Sequence, residues 1–142
     1  MEQVTQTDLI DRTVFAKTRA ELGPGFGRIL GYFREDGVKS VAAIEAAMRE
    51  LNAPALVIPA HTLKGEARQF GAEPLAVLAE RIENIARDCV ETRDTPDDAL
   101  TDAAALRGLF EKTMAELERS AVPATPPVAR ALSASGFGRK VA

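Results

Sequence analysis

Across residues 1–122 apolar side chains return at alternating steps of three and four, the period of an amphipathic helix, and no stretch shows the step of two that marks a strand. This limits the chain to a fold of packed helices. Phe26, Leu30, Phe33, Gly37, Val41, Ile44, Met48 and Leu51 form one stripe along a long helix, which Asp36-Gly37 is placed to kink or fray. Leu75, Leu78, Ile82, Ala86 and Cys89 form a second. Leu100, Leu106, Phe110, Met114 and Leu117 form a third, opened by Thr95 as N-cap and Pro96 at the first helical position and ending near Ser120. A shorter helix is expected over Thr7 to Leu22, stopped by Gly23-Pro24-Gly25. Short connections at Asn52-Ala53, Gly71-Ala72-Glu73 and Thr92 to Thr95 force successive helices to run antiparallel. The expected fold is therefore all-α: an up-down antiparallel four-helix bundle with an additional N-terminal helix.

The charge is unevenly spread. All 21 acidic residues and 15 of the 18 basic ones lie in residues 1–122, a net −6, whereas residues 123–142 carry +3 from Arg130, Arg139 and Lys140. That last stretch is rich in Pro, Ala and Ser and lacks a sustained apolar period, so it reads as a flexible basic tail with at most a helical turn at Val128 to Leu132. The division is 1–122 for the bundle and 123–142 for the tail. The overall charge of −3 argues against a duplex nucleic acid partner, which calls for a basic stripe. The opening residues lack a basic and then apolar leader, and no run approaches the roughly 18 apolar residues of a membrane span. A cytoplasmic protein is expected, with no membrane partner. A single cysteine, Cys89, offers neither an internal disulfide nor a thiolate metal cage, and reads as a small core residue.

The helix between Pro54 and Phe70 carries the one histidine of the chain. With 100° per residue, Leu56, Ala60, Leu63, Ala67 and Phe70 fall within about 40° of one direction, the core face. On that wheel His61 lies about 140° away, Gly65 about 180°, Arg68 about 120° and Lys64 about 80°. His61 therefore faces outward, and the choice is between an idle surface histidine and a reactive one. Gly65, one turn further on, costs about 1 kcal/mol in a helix interior relative to alanine and clears space for another protein to approach the imidazole. Lys64 and Arg68 put cations beside a site that would suit a phosphoryl group of roughly −2 charge. Val57 and Ile58, apolar and off the core direction, make a rim for burial against a partner.

The segment from Ala60 to Ala72, with His61-Thr62-Leu63-Lys64-Gly65 followed by Phe70-Gly71, closely resembles the signature of histidine phosphotransfer (HPt) domains of two-component phosphorelays. The resemblance implies that His61 is the phosphorylated residue, Lys64 its charge partner, Gly65 the clearing and Gln69 a polar neighbour. Glu83 of the next helix matches a family position that often holds Gln or Glu near the histidine, the other reading being a solvated acid on the helix face. The resemblance implies a phosphocarrier rather than an enzyme: His61 accepts phosphate from a receiver-domain aspartate and passes it to that of another response regulator. The partners are then response-regulator receiver domains and a hybrid histidine kinase. No cofactor or metal is expected on this chain, Mg²⁺ being held by the partner receiver. In agreement, Gly23-Pro24-Gly25-Phe26-Gly27 lacks the Lys-Ser/Thr of a phosphate-binding loop, so no ATP site is read.

Two positions depart from the family pattern. Glu66 stands where Ser or Ala is usual and brings an acid near the site. Pro59 removes a helical hydrogen bond two residues before His61. These leave open a second reading, a degenerate module that docks receivers without transferring phosphate. A ferritin-like metal enzyme would need Glu-x-x-His motifs on two helices, which one outward histidine cannot supply.

Overall fold

The computed structural model describes residues 8–122, so the basic extension at 123–142 and its expected turn at 128–132 lie outside the described residues, as does Thr7. Five α-helices are present: α1 Arg12–Leu22, α2 Phe26–Arg49, α3 Ala53–Gln69, α4 Glu73–Thr92 and α5 Leu100–Ala121. Helices α2 to α5 form the antiparallel bundle, with α3 between α2 and α4, and α5 closing the ring against both. Helix α1 lies across the end where α2 begins and α3 finishes.

Each boundary has a local cause. Asp11 caps α1, its carboxylate accepting from the Thr13 and Val14 amides at 3.0 and 3.2 Å. Helix α1 begins at Arg12, later than the apolar pattern alone indicated. Asn52 caps α3 through the Ala55 amide at 3.2 Å. The chain leaves α3 through Gly71, whose φ of +80° is easy only for glycine and whose missing Cβ leaves room for the Asp11 carbonyl. The Asp11 amide donates to the Gly71 carbonyl at 2.7 Å, and Thr18 Oγ1 donates to the Gln69 carbonyl at 2.5 Å, tying α1 to the end of α3.

The core is the one the apolar stripes indicated, with a phenylalanine chain running through it. Phe15 packs edge-on against Phe26, Phe26 edge-on against Phe70, Phe70 stacks on Phe33 at 5.3 Å, and Phe33 meets Phe110 edge-on. Leu56, Ala60, Leu63 and Ala67 of α3 are fully buried in this core, which sets the rotation of α3 and hence the outward direction of His61.

Several local expectations need correction. Helix α2 runs unbroken through Asp36-Gly37: Gly37 is buried and a Cβ there would overlap the Phe110 ring, so the glycine serves close packing rather than a kink. Leu51 leaves the stripe because it turns the chain with a φ of 51° and is exposed. Thr95 does not cap α5; a short 3-10 turn at Asp97–Ala99 precedes the helix without a side-chain cap. Leu100 is 61% exposed rather than core. Cys89 is only half-buried, its thiol directed at the Thr95 carbonyl at 3.5 Å. Helix α3 continues through Pro59; the carbonyl this deprives of a donor belongs to exposed Ala55, where water can take its place. Among the described residues no helix is long and apolar enough to cross a membrane.

Candidate functional site

His61 sits midway along α3 with its side chain 58% exposed, facing the seam with α4. Its Nδ1 lies 2.9 Å from Oε2 of Glu83, a side chain of α4 that is only 4% exposed. The other carboxylate oxygen, Oε1, is 2.8 Å from Lys64 Nζ. Arg87, one turn after Glu83, reaches the same oxygen as the histidine, with Nη2 at 2.8 Å and Nε at 2.9 Å. Glu83 thus takes hydrogen bonds from His61 and Arg87 on Oε2 and an ion pair from Lys64 on Oε1. Burial alone would push its carboxyl up, but hydrogen bonds from Lys64, Arg87 and His61 outweigh burial and hold it at about 2. Glu83 is therefore an anion throughout the neutral range. As an anion it can only accept, so Nδ1 carries the proton, and in the neutral ring the lone pair is on Nε2.

The remaining surroundings suit an approaching partner. At Gly65 a Cβ would meet nothing within 4 Å, so the space beyond His61 is open. Ile58 is 74% exposed, while Val57 is half-buried and leans on the core. Together with Val90 and Arg87 they line a groove of about 540 Å³ between α3 and α4, one turn before the histidine on α3.

His61, Lys64, Gly65 and Glu83 are thus brought together, with Val57 and Ile58 at the rim. Arg68 is not: it is drawn away to Glu80 at 3.0 Å and Glu73 at 3.5 Å on α4. Gln69 is exposed at the last turn of α3 and has no hydrogen bond to His61 among the described residues. The second cation of the site is Arg87, which the sequence reading missed. Its spacing of four residues from Glu83 was the available signal. Glu66 lies on the other flank of α3, facing Asp36 of α2 rather than the histidine. Among the described residues no cluster of metal-ligating side chains is present.

A bundle of this kind, carrying one exposed histidine steadied by a buried acid, has the form of a phosphoryl-accepting module. The model of the Hpt domain family matches residues 28–120, and the chain belongs to that family. Its role is accordingly histidine phosphotransfer in phosphorelays, and Hpt domains work with receiver domains and histidine kinases as phosphocarriers, not as enzymes with a catalytic site of their own. The fold also resembles the crystal structure of histidine-containing phosphotransfer protein B from Pseudomonas aeruginosa PAO1, with a TM-score of 0.70 and 22% identity over 80% of this chain and 95% of that one. No match was found among curated proteins.

Proposed function

We propose that the protein carries a phosphoryl group on Nε2 of His61, taking it from a receiver-domain aspartate and passing it to the aspartate of another response regulator. The observation that carries this reading is the Glu83 contact: it occupies Nδ1 and leaves the other nitrogen of an exposed ring for the reaction.

The step balances without proton movement. The Nε2 lone pair forms a bond to phosphorus as the bond to the aspartyl oxygen breaks, and that electron pair leaves with the carboxylate. The ring keeps its Nδ1 proton and becomes cationic, with the Glu83 anion beside it to offset the charge. In the reverse direction the N–P bond breaks, its pair returns to Nε2, and neutral imidazole departs. In-line alignment and electrostatics supply the acceleration. Mg²⁺ belongs to the partner receiver, whose acidic side chains complete the site.

The test is to incubate the protein with a phosphorylated receiver and Mg²⁺ and look for acid-labile, base-stable label. Wild type is expected to take the label and His61→Gln none. Gly65→Gln, which fills the open space, should block transfer while leaving helicity unchanged. Equal labelling of wild type and His61→Gln would overturn the assignment. Wild type that stays unlabelled with every receiver tried, yet still binds them, would leave a receiver-docking adaptor in its place.

A further inference from the structure

We infer that Arg87 is a positioning residue of this site, acting on His61 through Glu83; the inference rests on the phosphocarrier reading above. The two oxygens of Glu83 have different duties. Oε1 is held by Lys64 on α3, whereas Oε2 is shared between the histidine and Arg87. Arg87 grips that oxygen with two nitrogens of its planar fork, at 2.8 and 2.9 Å, from one turn along the same helix. A carboxylate held so cannot swing away from Nδ1, and a lysine, with a single point of attachment, would hold it less firmly.

The charge count points the same way. Glu83 meets His61 directly and brings Lys64 and Arg87 with it, the acids Asp88 and Glu91 lying further along the groove. Lys64 alone would leave a pair of no net charge beside the ring, with nothing to offset an incoming phosphoryl group. With Arg87 the cluster carries one net positive charge, and the Glu83 anion remains in contact with the ring without repelling the phosphoryl oxygens. Arg87 is 55% exposed and lines the groove beside Ile58, so a partner could also touch it directly. A direct role and a role through Glu83 differ in one measurable respect, whether the effect of losing Arg87 survives the loss of the Glu83 charge.

A double-mutant cycle on the full chain decides this, with the rate of transfer from a phosphorylated receiver as readout. In the wild-type background Arg87→Gln should lower the rate at saturating receiver about tenfold, with the half-saturating receiver concentration changed by less than about twofold, the scale of coupling between contacting residues. Arg87→Lys should recover part of the rate. In the Glu83→Gln background, Arg87→Gln should change the rate by less than about twofold. A second measurement needs no phosphate: the Nδ1 proton of His61, followed by nitrogen-edited NMR, should exchange with water faster in Arg87→Gln than in wild type. Equal losses in both backgrounds, a loss confined to half-saturation, or unchanged exchange of the Nδ1 proton would each overturn the inference while leaving the phosphocarrier intact. A wild-type protein that takes no label removes both.

Discussion

On the α4 side of α3, Glu83 is nearly sealed from water, yet its carboxyl is held at about 2; on the α2 side Glu66 is less buried and stands at about 7. Burial pushes both upward, so burial does not separate them. Company does. Glu83 is held low by Lys64, Arg87 and His61, whereas Glu66 is pushed up first by burial and then further by Asp36, an acid that faces it from α2. Glu66 Oε1 and Glu83 Oε1 are both closed off from water without a well-aligned hydrogen bond among the described residues, but Glu83 Oε1 has the Lys64 ammonium at 2.8 Å. The same helix therefore has one flank where a fixed anion serves the histidine and another where a carboxyl near neutrality serves none of the site's contacts. The acid right after Gly65 is turned about 100° away from it, toward Asp36 of α2.

Acid should expose the Glu83 flank most strongly. Its folded value lies below the ordinary 4.5, so its contribution to stability is fully present above pH 4.5 and is lost as pH falls toward 2. The loss is on the order of 2–3 kcal/mol, from the size of the shift. Urea unfolding at pH 5 and pH 2.5 measures it. Glu45 and Glu116 are also held below the ordinary value by arginines, so the quantity to read is the difference between wild type and Glu83→Gln. If both lose stability equally on acidification, Glu83 does not carry the charge assigned to it.

The Glu66 flank should respond with the opposite sign and a smaller size. Its folded value is raised above the ordinary 4.5, so any stability it contributes is present below pH 4.5 and is lost as pH rises through about 7. Glu66→Gln should therefore be more stable than wild type at pH 8 by about 1 kcal/mol, with the advantage fading toward pH 5. Asp36→Asn sharpens the comparison further. It removes the repulsion but not the burial, the larger cause, so it should recover less than Glu66→Gln does. Full recovery in Asp36→Asn would mean that charge, not burial, governs this flank.

What could be read from the sequence divides along similar lines. The period of three and four located the helices, and the wheel on α3 turned His61 and Gly65 outward, because the burial of Leu56, Ala60, Leu63 and Ala67 fixes the rotation of the whole helix. A wheel gives direction within one helix; it does not say which side chain of a neighbouring helix fills the space beyond. Asp36 meets Glu66 from thirty residues away, and Phe110 meets Gly37 from further still, so neither pairing leaves a local trace. Arg68 and Arg87 show the same limit from another angle. Both have long side chains with several acids in reach, and the packing of α3 on α4 decides that Arg87 takes the buried acid while Arg68 takes exposed ones. The start of α5 differs from the expectation for a simpler reason, since the signals at Thr95-Pro96 precede a 3-10 turn and not the helix itself.

Those two arginines supply the smallest expected effect and the cleanest contrast with Arg87. Arg68 stands two turns after His61 on roughly the same face, and its ion pairs with Glu80 and Glu73 join partners that are all well exposed. Exposed pairs gain little over hydration and are screened by salt, so Arg68→Gln should leave thermal unfolding and its salt dependence close to wild type. It should also leave the rate of transfer from a phosphorylated receiver within about twofold, where Arg87→Gln loses about tenfold. The physical difference is the acid each one meets: Glu83 can neither leave its contacts nor be replaced by water, whereas Glu80 and Glu73 can do both. Should Arg68→Gln slow transfer as much as Arg87→Gln does, simple proximity of positive charge to His61 would matter more than the buried carboxylate, and the distinction between the two flanks of α3 would lose its functional meaning.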